Sequence, residues 1–177
     1  MKTLTKIFEF DAAHRVMHER IKCFNLHGHR FKVELTFEFK EVSALGYAID
    51  FKEIKRVAGT FIDKYLDHSC VLNPDDKELV KLCADNGWRY WIMGMGAEGD
   101  INPSAENIAN ELLYILRYLF QHSGHGINLT SIKFYETPTC WVEVDEITYA
   151  ANSNFFSFLD AFAKNIGVFE YDDRKVR

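Results

Sequence analysis

The strongest constraint on the fold is a run in which apolar and polar side chains alternate strictly. From Arg30 to Lys40 every second residue is apolar: Phe31, Val33, Leu35, Phe37 and Phe39. Successive side chains of a β-strand point to opposite faces, so this run predicts a strand with one buried face and one solvated face. The first ten residues, rich in Thr, Ile and Phe, predict a preceding strand. The two strands can pair antiparallel across the segment from His14 to His27.

Two helices are predicted in the middle of the chain. Apolar residues recur at spacings of three and four after Asp50, which is the period of an amphipathic helix ending near His68. Ser104 is a good N-cap, so a second helix is predicted from there to about Gly124. Its predicted buried residues are Ile108, Leu112, Ile115, Leu116 and Leu119.

The order of the elements predicts the fold class. Two more strands are predicted at 130–136 and 140–150, which gives the order strand, strand, helix, helix, strand, strand. Strands in adjacent pairs predict an α+β fold in which helices cover one face of an antiparallel sheet. The other face must then be solvated or covered by another subunit. The length of 177 residues favours a single domain spanning 1–177.

Two segments lie outside this order. Residues 83–102 hold two tryptophans and four glycines without steady periodicity, which predicts an irregular insertion or lid. The C-terminal extension, 150–177, carries enough phenylalanine and leucine for a docked helix. We interpret both as surface decoration, because long surface insertions cost little free energy.

Composition excludes several classes of protein. The net charge of −5 and a pI near 5.8 provide no field that attracts nucleic acid or an anionic membrane. No apolar run approaches the roughly 18 residues that a membrane span needs, and charges interrupt the N-terminal residues before a secretory apolar region develops. We therefore expect a cytoplasmic protein. The four cysteines form no CxxC pair, and disulfides are not expected.

A histidine pair indicates a metal site. His27-Gly28-His29 lies directly before the alternating strand, where residues two apart point to the same face and can converge on one ion. His14, at the end of the preceding strand, supplies a third nitrogen if the two strands pair. Three histidines without a fourth protein ligand are typical of an open, catalytic zinc site. A hydrogen-bonded structural role is the alternative for each histidine taken alone.

Further candidates lie close to the histidines in sequence or at a helix end. Cys23 stands four residues before His27 and is a possible fourth ligand or proton-transfer group, with an inert buried cysteine as the alternative. Asp67 precedes His68, and a carboxylate beside an imidazole can hold its orientation and raise its basicity. Helix ends also favour histidine for dipole reasons.

Six short motifs occur in order over roughly residues 5 to 148. They are Phe10-Asp11-Ala12-Ala13-His14-Arg15, Cys23-x3-His27-Gly28-His29, Gly46 through Asp50-Phe51, Leu66-Asp67-His68, Asn102-Pro103-Ser104-Ala105-Glu106-Asn107 and Glu136-Thr137. Together they resemble the 6-pyruvoyl-tetrahydropterin and 6-carboxytetrahydropterin synthase family. The resemblance implies the T-fold, with four antiparallel strands and two helices between the second and third. It also implies a homo-oligomer, in which three sheets close into a barrel and two trimers stack into a hexamer.

The resemblance assigns roles to three groups of residues. The zinc ligands, for one ion per subunit, are His14, His27 and His29. The catalytic residues are Cys23, as proton acceptor, with Asp67 and His68. The substrate-binding residues are Glu136, Glu106 and Ser104, the last standing where the family commonly has threonine. Glu136 matches the residue that grips the pterin, and a carboxylate suits the paired N–H donors on the guanidine-like edge of that ring. Strand-end solvation and helix-dipole complementation are the plain alternatives for the two glutamates.

The spacing of the thiol indicates the subfamily. Cys-x3-His-Gly-His resembles the bacterial 6-carboxytetrahydropterin synthases of queuosine biosynthesis, whereas the animal pyruvoyl enzymes use a longer spacer. The resemblance thus implies a lyase that converts dihydroneopterin triphosphate to 6-carboxytetrahydropterin, acetaldehyde and triphosphate. The alternatives are a 6-pyruvoyl-tetrahydropterin synthase, which eliminates triphosphate from the same substrate, and a non-catalytic zinc- or pterin-binding protein. The sequence leaves open which cations meet the triphosphate, although Arg15 and Arg30 flank the proposed ligands.

Overall fold

The computed structural model describes residues 2–96, 101–148 and 151–168. A six-stranded sheet in the order β4-β3-β1-β2-β5-β6 forms its centre. The strands are β1 (Lys2–His14), β2 (His27–Phe39), β3 (Ser69–Leu72), β4 (Tyr90–Ile92), β5 (Ile127–Thr137) and β6 (Cys140–Val144). The strands β1, β2, β5 and β6 form the four antiparallel strands that were predicted, with β1 beside β2 and β5 between β2 and β6. The short strands β3 and β4 extend the sheet beyond β1 with parallel pairing.

Helices connect β2 to β5 and close the described chain. They are α1 (Phe51–Ile54), α2 (Thr60–Tyr65), α3 (Lys77–Asn86), α4 (Ala105–Gln121) and α5 (Ser153–Asn165). A π-helical turn, Lys55–Gly59, joins α1 to α2, so the single predicted helix is irregular in its middle. The predicted N-cap of α4 is confirmed, because the Ser104 hydroxyl accepts a hydrogen bond from the Asn107 N–H. No helix among the described residues is both long and apolar enough to cross a membrane.

The core lies between the sheet and the helices. The phenylalanine rings of β1, β2 and β5 form a row across the sheet, with Phe31 between Phe10 and Phe134 at ring-centroid distances of 5.4 and 5.2 Å. All five residues predicted for the apolar face of α4 are buried. Full burial of each such side chain contributes about 1.5–3 kcal/mol. The helix-covered face of the sheet is therefore the face that the alternating pattern predicted.

Two predicted segments differ from the structure. Residues 83–102 are not irregular throughout, because α3 ends and β4 lies within them. The strand predicted at 140–150 ends at Val144. Beyond it, the Asn110 side chain of α4 bonds the Glu146 C=O and the Thr148 N–H, which draws this backbone away from strand pairing. Residues 149 and 150 lie outside the described residues.

The predicted C-terminal helix is present as α5. Its aromatic side chains pack on α2 and β4, where Phe158 meets Tyr65 at 5.3 Å and Trp91 at 6.1 Å. Phe162 meets Phe61 at 5.4 Å. The extension is thus joined to the core through the same β4 strand that the sequence placed in an irregular insertion.

Candidate metal centre and catalytic site

Three histidines converge at one end of the helix-covered face of the sheet. The antiparallel register places His14 opposite His27 and Ala12 opposite His29, so the three imidazoles share a face. One nitrogen from each ring lies within 4.8 Å of the others. The predicted pairing of β1 with β2 is confirmed, and it brings together the three proposed metal ligands.

Hydrogen bonds fix the orientation of two rings. The His14 Nδ1 lies 2.7 Å from the Pro103 carbonyl oxygen, and the His27 Nδ1 lies 2.7 Å from the Asn25 carbonyl oxygen. A carbonyl can only accept, so each Nδ1 carries the proton and each Nε2 keeps its lone pair when the ring is neutral. The Nε2 atoms of His14 and His29 are buried without a hydrogen-bond partner. Buried nitrogens of this kind are rare unless a metal or another ligand completes them, and the cluster therefore fits a metal ion.

The surroundings of His14 and His29 favour the neutral form of these two rings, which is the form that binds metal. Burial is the main cause that lowers the pKa of His14 and of His29. Neutral imidazole is the metal-binding form, so a lowered pKa favours coordination. Glu136 Oε1 lies 3.5 Å from His14 Nε2 and 4.0 Å from His29 Nε2, and this carboxylate opposes the shift in both rings. The structure thus places the predicted pterin-binding glutamate beside two of the proposed metal ligands.

The glycine between the two β2 histidines lies against β1. A Cβ added at Gly28 would lie 3.2 Å from the Ala12 carbonyl oxygen, which is tighter than ordinary contact. A larger side chain would therefore push β2 away from β1 at the point where the two strands carry His29 and His14. This close approach explains the small residue in the His-Gly-His motif.

Cys23 lies in the loop between β1 and β2, residues 15–26. Its side chain is exposed, so the alternative of an inert buried cysteine is wrong. The group of ligand atoms within 4.8 Å of one another consists of the three histidines and leaves out this thiol. The Cys23 carbonyl accepts a hydrogen bond of 2.8 Å from the Val16 N–H, which closes the base of the loop. Among the described residues Cys23 thus lies outside the group of candidate metal ligands, and its role in proton transfer stays a prediction.

Asp67 and His68 form a contact pair directly after α2. Asp67 Oδ2 lies 3.0 Å from His68 Nδ1, while Asp67 Oδ1 accepts a hydrogen bond from the Asp11 N–H at 2.9 Å. Burial alone would raise the pKa of Asp67, but the hydrogen bonds from Asp11 and His68 outweigh it and lower the pKa. His68 adopts a left-handed backbone with φ +54° and exposes its ring. An ionised carboxylate therefore orients an accessible imidazole, as an acid/base pair requires.

Two open cavities border His29. One, of about 680 Å³, is lined by His68 and by Trp88. Trp88 was not among the site residues predicted from the sequence. The other, of about 480 Å³, is lined by Glu136 and Tyr135. Both can admit a bicyclic ring, since ligand cavities commonly measure about 300–1,000 Å³. The predicted acid/base pair and the predicted pterin-binding residue thus stand on different sides of one metal ligand.

The remaining predicted residues lie in the first turn of α4. Ser104 caps the helix, and Glu106 is exposed. Neither lines the two cavities beside His29, so their predicted contact with substrate stays a prediction. The preceding residue, Pro103, supplies the carbonyl that orients His14. Sequence patterns gave no signal for that contact, because it joins residues 89 positions apart.

Comparison with known proteins identifies the family. The model of the 6-pyruvoyl tetrahydropterin synthase family matches residues 3–147. The chain belongs to this family. A 6-carboxy-5,6,7,8-tetrahydropterin synthase of Rickettsia felis is 40% identical over 144 residues, covering 79% of this chain and 97% of the relative. A protein of the same name from Haemophilus influenzae is 26% identical over 155 residues, covering 82% of this chain and all of the relative.

Solved structures of other proteins share the fold. An uncharacterised protein from Wolinella succinogenes superposes with a TM-score of 0.66 at 25% identity, covering 82% of this chain and 98% of that one. The 6-pyruvoyl tetrahydropterin synthase of Caenorhabditis elegans gives a TM-score of 0.57 at 21% identity, covering 82% and 95%. The predicted resemblance and the predicted T-fold are confirmed, and β3, α3 and β4 are additions to the predicted order of elements.

Proposed function

We propose that this pterin synthase family member is a cytoplasmic, zinc-dependent lyase of queuosine biosynthesis. With one molecule of water, it converts 7,8-dihydroneopterin triphosphate to 6-carboxy-5,6,7,8-tetrahydropterin, acetaldehyde and triphosphate. The three-histidine cluster with two buried, unpartnered Nε2 atoms carries the proposal. Relatives named 6-carboxy-5,6,7,8-tetrahydropterin synthase, at up to 40% identity, support the choice of reaction.

The metal would be held by the three histidines. When bound, zinc supplies Lewis-acid chemistry at the substrate oxygens and lowers the free energy of removing neighbouring protons. Zinc is the ion we propose because an open site of three imidazoles is typical of catalytic zinc. The chain itself supplies the proton carriers, which are the Cys23 thiol and the His68 imidazole oriented by Asp67. Both are exposed and therefore accessible to a substrate.

Substrate binding is proposed for three residues. Glu136 lines the 480 Å³ cavity and lies beside His14 and His29, so a pterin held by its carboxylate would lie next to the metal. For Ser104 and Glu106 the support is the family motif and their place at the start of α4, directly after the Pro103 that orients His14.

We also propose a homo-oligomer, a trimer or a hexamer of stacked trimers. The support is the two outer edges of the four strands β1, β2, β5 and β6. On the side of β1 away from β2, β3 pairs only with Ala12, Ala13 and His14, which leaves the earlier residues open. The outer edge of the sheet at the other end is β6. Open edges are usually covered or paired, and barrel closure across subunits does both. Sedimentation that shows only monomer would contradict this part.

Two other functions are distinguished by their outcome. A 6-pyruvoyl-tetrahydropterin synthase would remove triphosphate from the same substrate and keep the carbon chain, without acetaldehyde. A non-catalytic binding protein would leave the substrate unchanged. The accessible thiol and the oriented Asp67–His68 pair favour an enzyme over a binding protein, because metal binding alone needs neither.

Substitution of the thiol and of one ligand tests the assignment. Cys23→Ala should abolish turnover and keep zinc near the wild-type content, whereas His27→Ala should lose both. Cys140→Ala, a change at another exposed cysteine, is the matched control and should keep both. Loss of zinc in Cys23→Ala would make the thiol a ligand, and full activity would remove Cys23 from the mechanism.

A further inference from the structure

The loop that carries Cys23 is bonded to the segment between β3 and α4. We name residues 15–26 the thiol loop and residues 73–102 the bracing segment. The bracing segment contains α3 and β4, and its two ends lie against the start of the thiol loop. Residues 97–100 lie outside the described residues, and the contacts below involve none of them.

The first contact is an ion pair at the start of α3. The Arg15 guanidinium donates to Asp76 through Nε at 2.5 Å and through Nη2 at 2.7 Å, which is a bidentate, charge-assisted arrangement. Asp76 is 2% exposed, and its Oδ1 also caps α3 by accepting from the Leu79 N–H. The Arg15 guanidinium lies 5.4 Å from the centre of the Phe24 ring, in cation–π range. Phe24 follows Cys23 directly, so Asp76 is linked through Arg15 to the residue beside the thiol.

The second contact is made by Asn102 at the other end of the segment. Its Oδ1 accepts from the Met17 N–H at 2.7 Å, and its Nδ2 donates to the Met17 carbonyl at 3.1 Å. One side-chain amide thus satisfies both backbone groups of Met17, as a neighbouring strand would. Asn73, which directly follows β3, donates to the same Oδ1 at 3.0 Å. The two ends of the bracing segment therefore meet at the Asn102 side chain, which in turn binds Met17.

The thiol loop depends on such contacts because it has no helix or strand of its own. Its internal bonds include those from the Ile21 and Phe24 N–H groups to the Glu19 carboxylate, on the exposed side of the loop. Among its apolar side chains Ile21, Phe24 and Leu26 are exposed, whereas Val16 and Met17 at its start are half-buried. Burial therefore contributes little to the order of the part around Cys23.

We propose that Asp76 and Asn102 are positioning residues that fix the thiol loop, Asp76 through Arg15 and Asn102 through Met17. Asn102, at the end of the 83–102 segment, is then a working part of the enzyme, in contrast to the surface decoration predicted for residues 83–102. This inference rests on the proposed function, in which Cys23 exchanges a proton with the substrate.

Hydrogen exchange and kinetics of two variants test it in the zinc-loaded, full-length protein. Asp76→Asn keeps a side chain that can cap α3 but removes the charge that Arg15 contacts at 2.5 and 2.7 Å, and it leaves the exposed Glu78 carboxylate 3.9 Å from Arg15 Nη2. Asn102→Ala removes both bonds to Met17. Matched controls are Asp85→Asn, which breaks an exposed ion pair with Lys81 on α3, and Asn86→Ala at the end of α3.

Both test variants should increase the mobility of the thiol loop and keep the bound zinc. Amide exchange in residues 15–26 should accelerate by about tenfold, the factor that corresponds to the net loss of roughly one hydrogen bond. The rate at which iodoacetamide alkylates Cys23, followed in the peptide that contains it, should differ from the wild-type rate. The kcat should fall by about tenfold or more, with a smaller change in KM. Zinc content and exchange in α4 should match the wild type, as should every property of the controls. Asp76→Glu, which keeps the carboxylate, should recover part of the lost protection.

The outcomes separate this inference from the proposed function. Unchanged exchange of the thiol loop in both variants would overturn the bracing contacts, whatever the activity. Faster exchange with wild-type kcat would overturn the positioning role. Wild-type protein without lyase activity would overturn the proposed function, while the exchange data would still decide whether the segment braces the loop. If Asp76→Asn does not fold, Asn102→Ala decides the question, because it leaves the cap of α3 intact.

Discussion

Replacing Phe31 tests how far the histidine cluster depends on the core beneath it. Phe31 is fully buried, and its ring lies 5.6 Å from the His14 ring and 5.5 Å from the His29 ring. It also stands between the rings of Phe10 and Phe134. Phe31→Ala removes a complete side chain from this row and leaves a cavity, which costs about 3–5 kcal/mol of unfolding free energy. Domains of this size are stable by about 5–15 kcal/mol, so the variant should fold only marginally.

The milder change Phe31→Leu separates stability from metal binding. It keeps most of the apolar volume and removes the aromatic contacts, each worth about 0.5–1.5 kcal/mol. We expect the free energy of unfolding, measured in urea, to fall by about 1–3 kcal/mol. The measurement uses protein from which a chelator has removed the metal, with all variants at one protein concentration. Because the two imidazoles rest on this ring, zinc affinity should fall by about tenfold in a competition titration.

The matched control lies at the other end of the same strand. Phe39 is half-buried and stands opposite Lys2, away from the histidines. Phe39→Leu should cost less than Phe31→Leu and leave zinc affinity at the wild-type value. Equal losses in the two variants, or unchanged zinc affinity in Phe31→Leu, would refute the idea that the ring supports the cluster.

Two further predictions concern buried or paired carboxylates. Glu111→Ala should lower the free energy of unfolding by about 2–4 kcal/mol. The reason is that the buried carboxylate accepts hydrogen bonds from Trp91 Nε1 at 2.6 Å and from the Gly94 N–H at 2.7 Å. A loss below about 1 kcal/mol in urea unfolding would contradict this. Asp67 has a folded pKa below its ordinary value of 3.8, so it stabilises the fold above that value and the contribution disappears as the pH falls through the folded pKa. The stability difference between wild type and Asp67→Asn should accordingly be larger at pH 7 than at pH 3, and a difference independent of pH would show that the bonds to Asp11 and His68 do not stabilise the ionised form.

Periodicity made the main sheet and its orientation predictable. The alternation around Phe31 reports burial on one face, and the same parity places His27 and His29 on that face. Antiparallel pairing with β1 then brings His14 opposite His27. The convergence of the three histidines could therefore be predicted from spacing and strand pairing, without any knowledge of the helices.

Short elements could not be predicted because their pairing is tertiary. The strands β3 and β4 have four and three residues, too few to show a period, and they exist through parallel pairing with β1 and with each other. The π-helical turn at Lys55–Gly59 also escapes prediction, because its apolar spacing is that of an ordinary helix.

Contacts of charged side chains with residues distant in sequence could not be predicted either. Arg15, beside a metal ligand, was left open as a phosphate-binding or solvated residue, but it forms an ion pair with Asp76, 61 positions away. Glu111 lies on the buried face of α4 among apolar residues, and only Trp91 and Gly94 explain why a carboxylate is tolerated there. Pairs of this kind leave no local pattern.

We propose above all that this chain breaks a carbon–carbon bond in the side chain of a pterin triphosphate. The decisive measurement is incubation of the purified, zinc-loaded protein with dihydroneopterin triphosphate, followed by mass spectrometry of the pterin and an assay for acetaldehyde. We predict 6-carboxytetrahydropterin and an equimolar amount of acetaldehyde. A pyruvoyl product without acetaldehyde would assign the chain to 6-pyruvoyl-tetrahydropterin synthesis, and unchanged substrate would contradict the account as a whole.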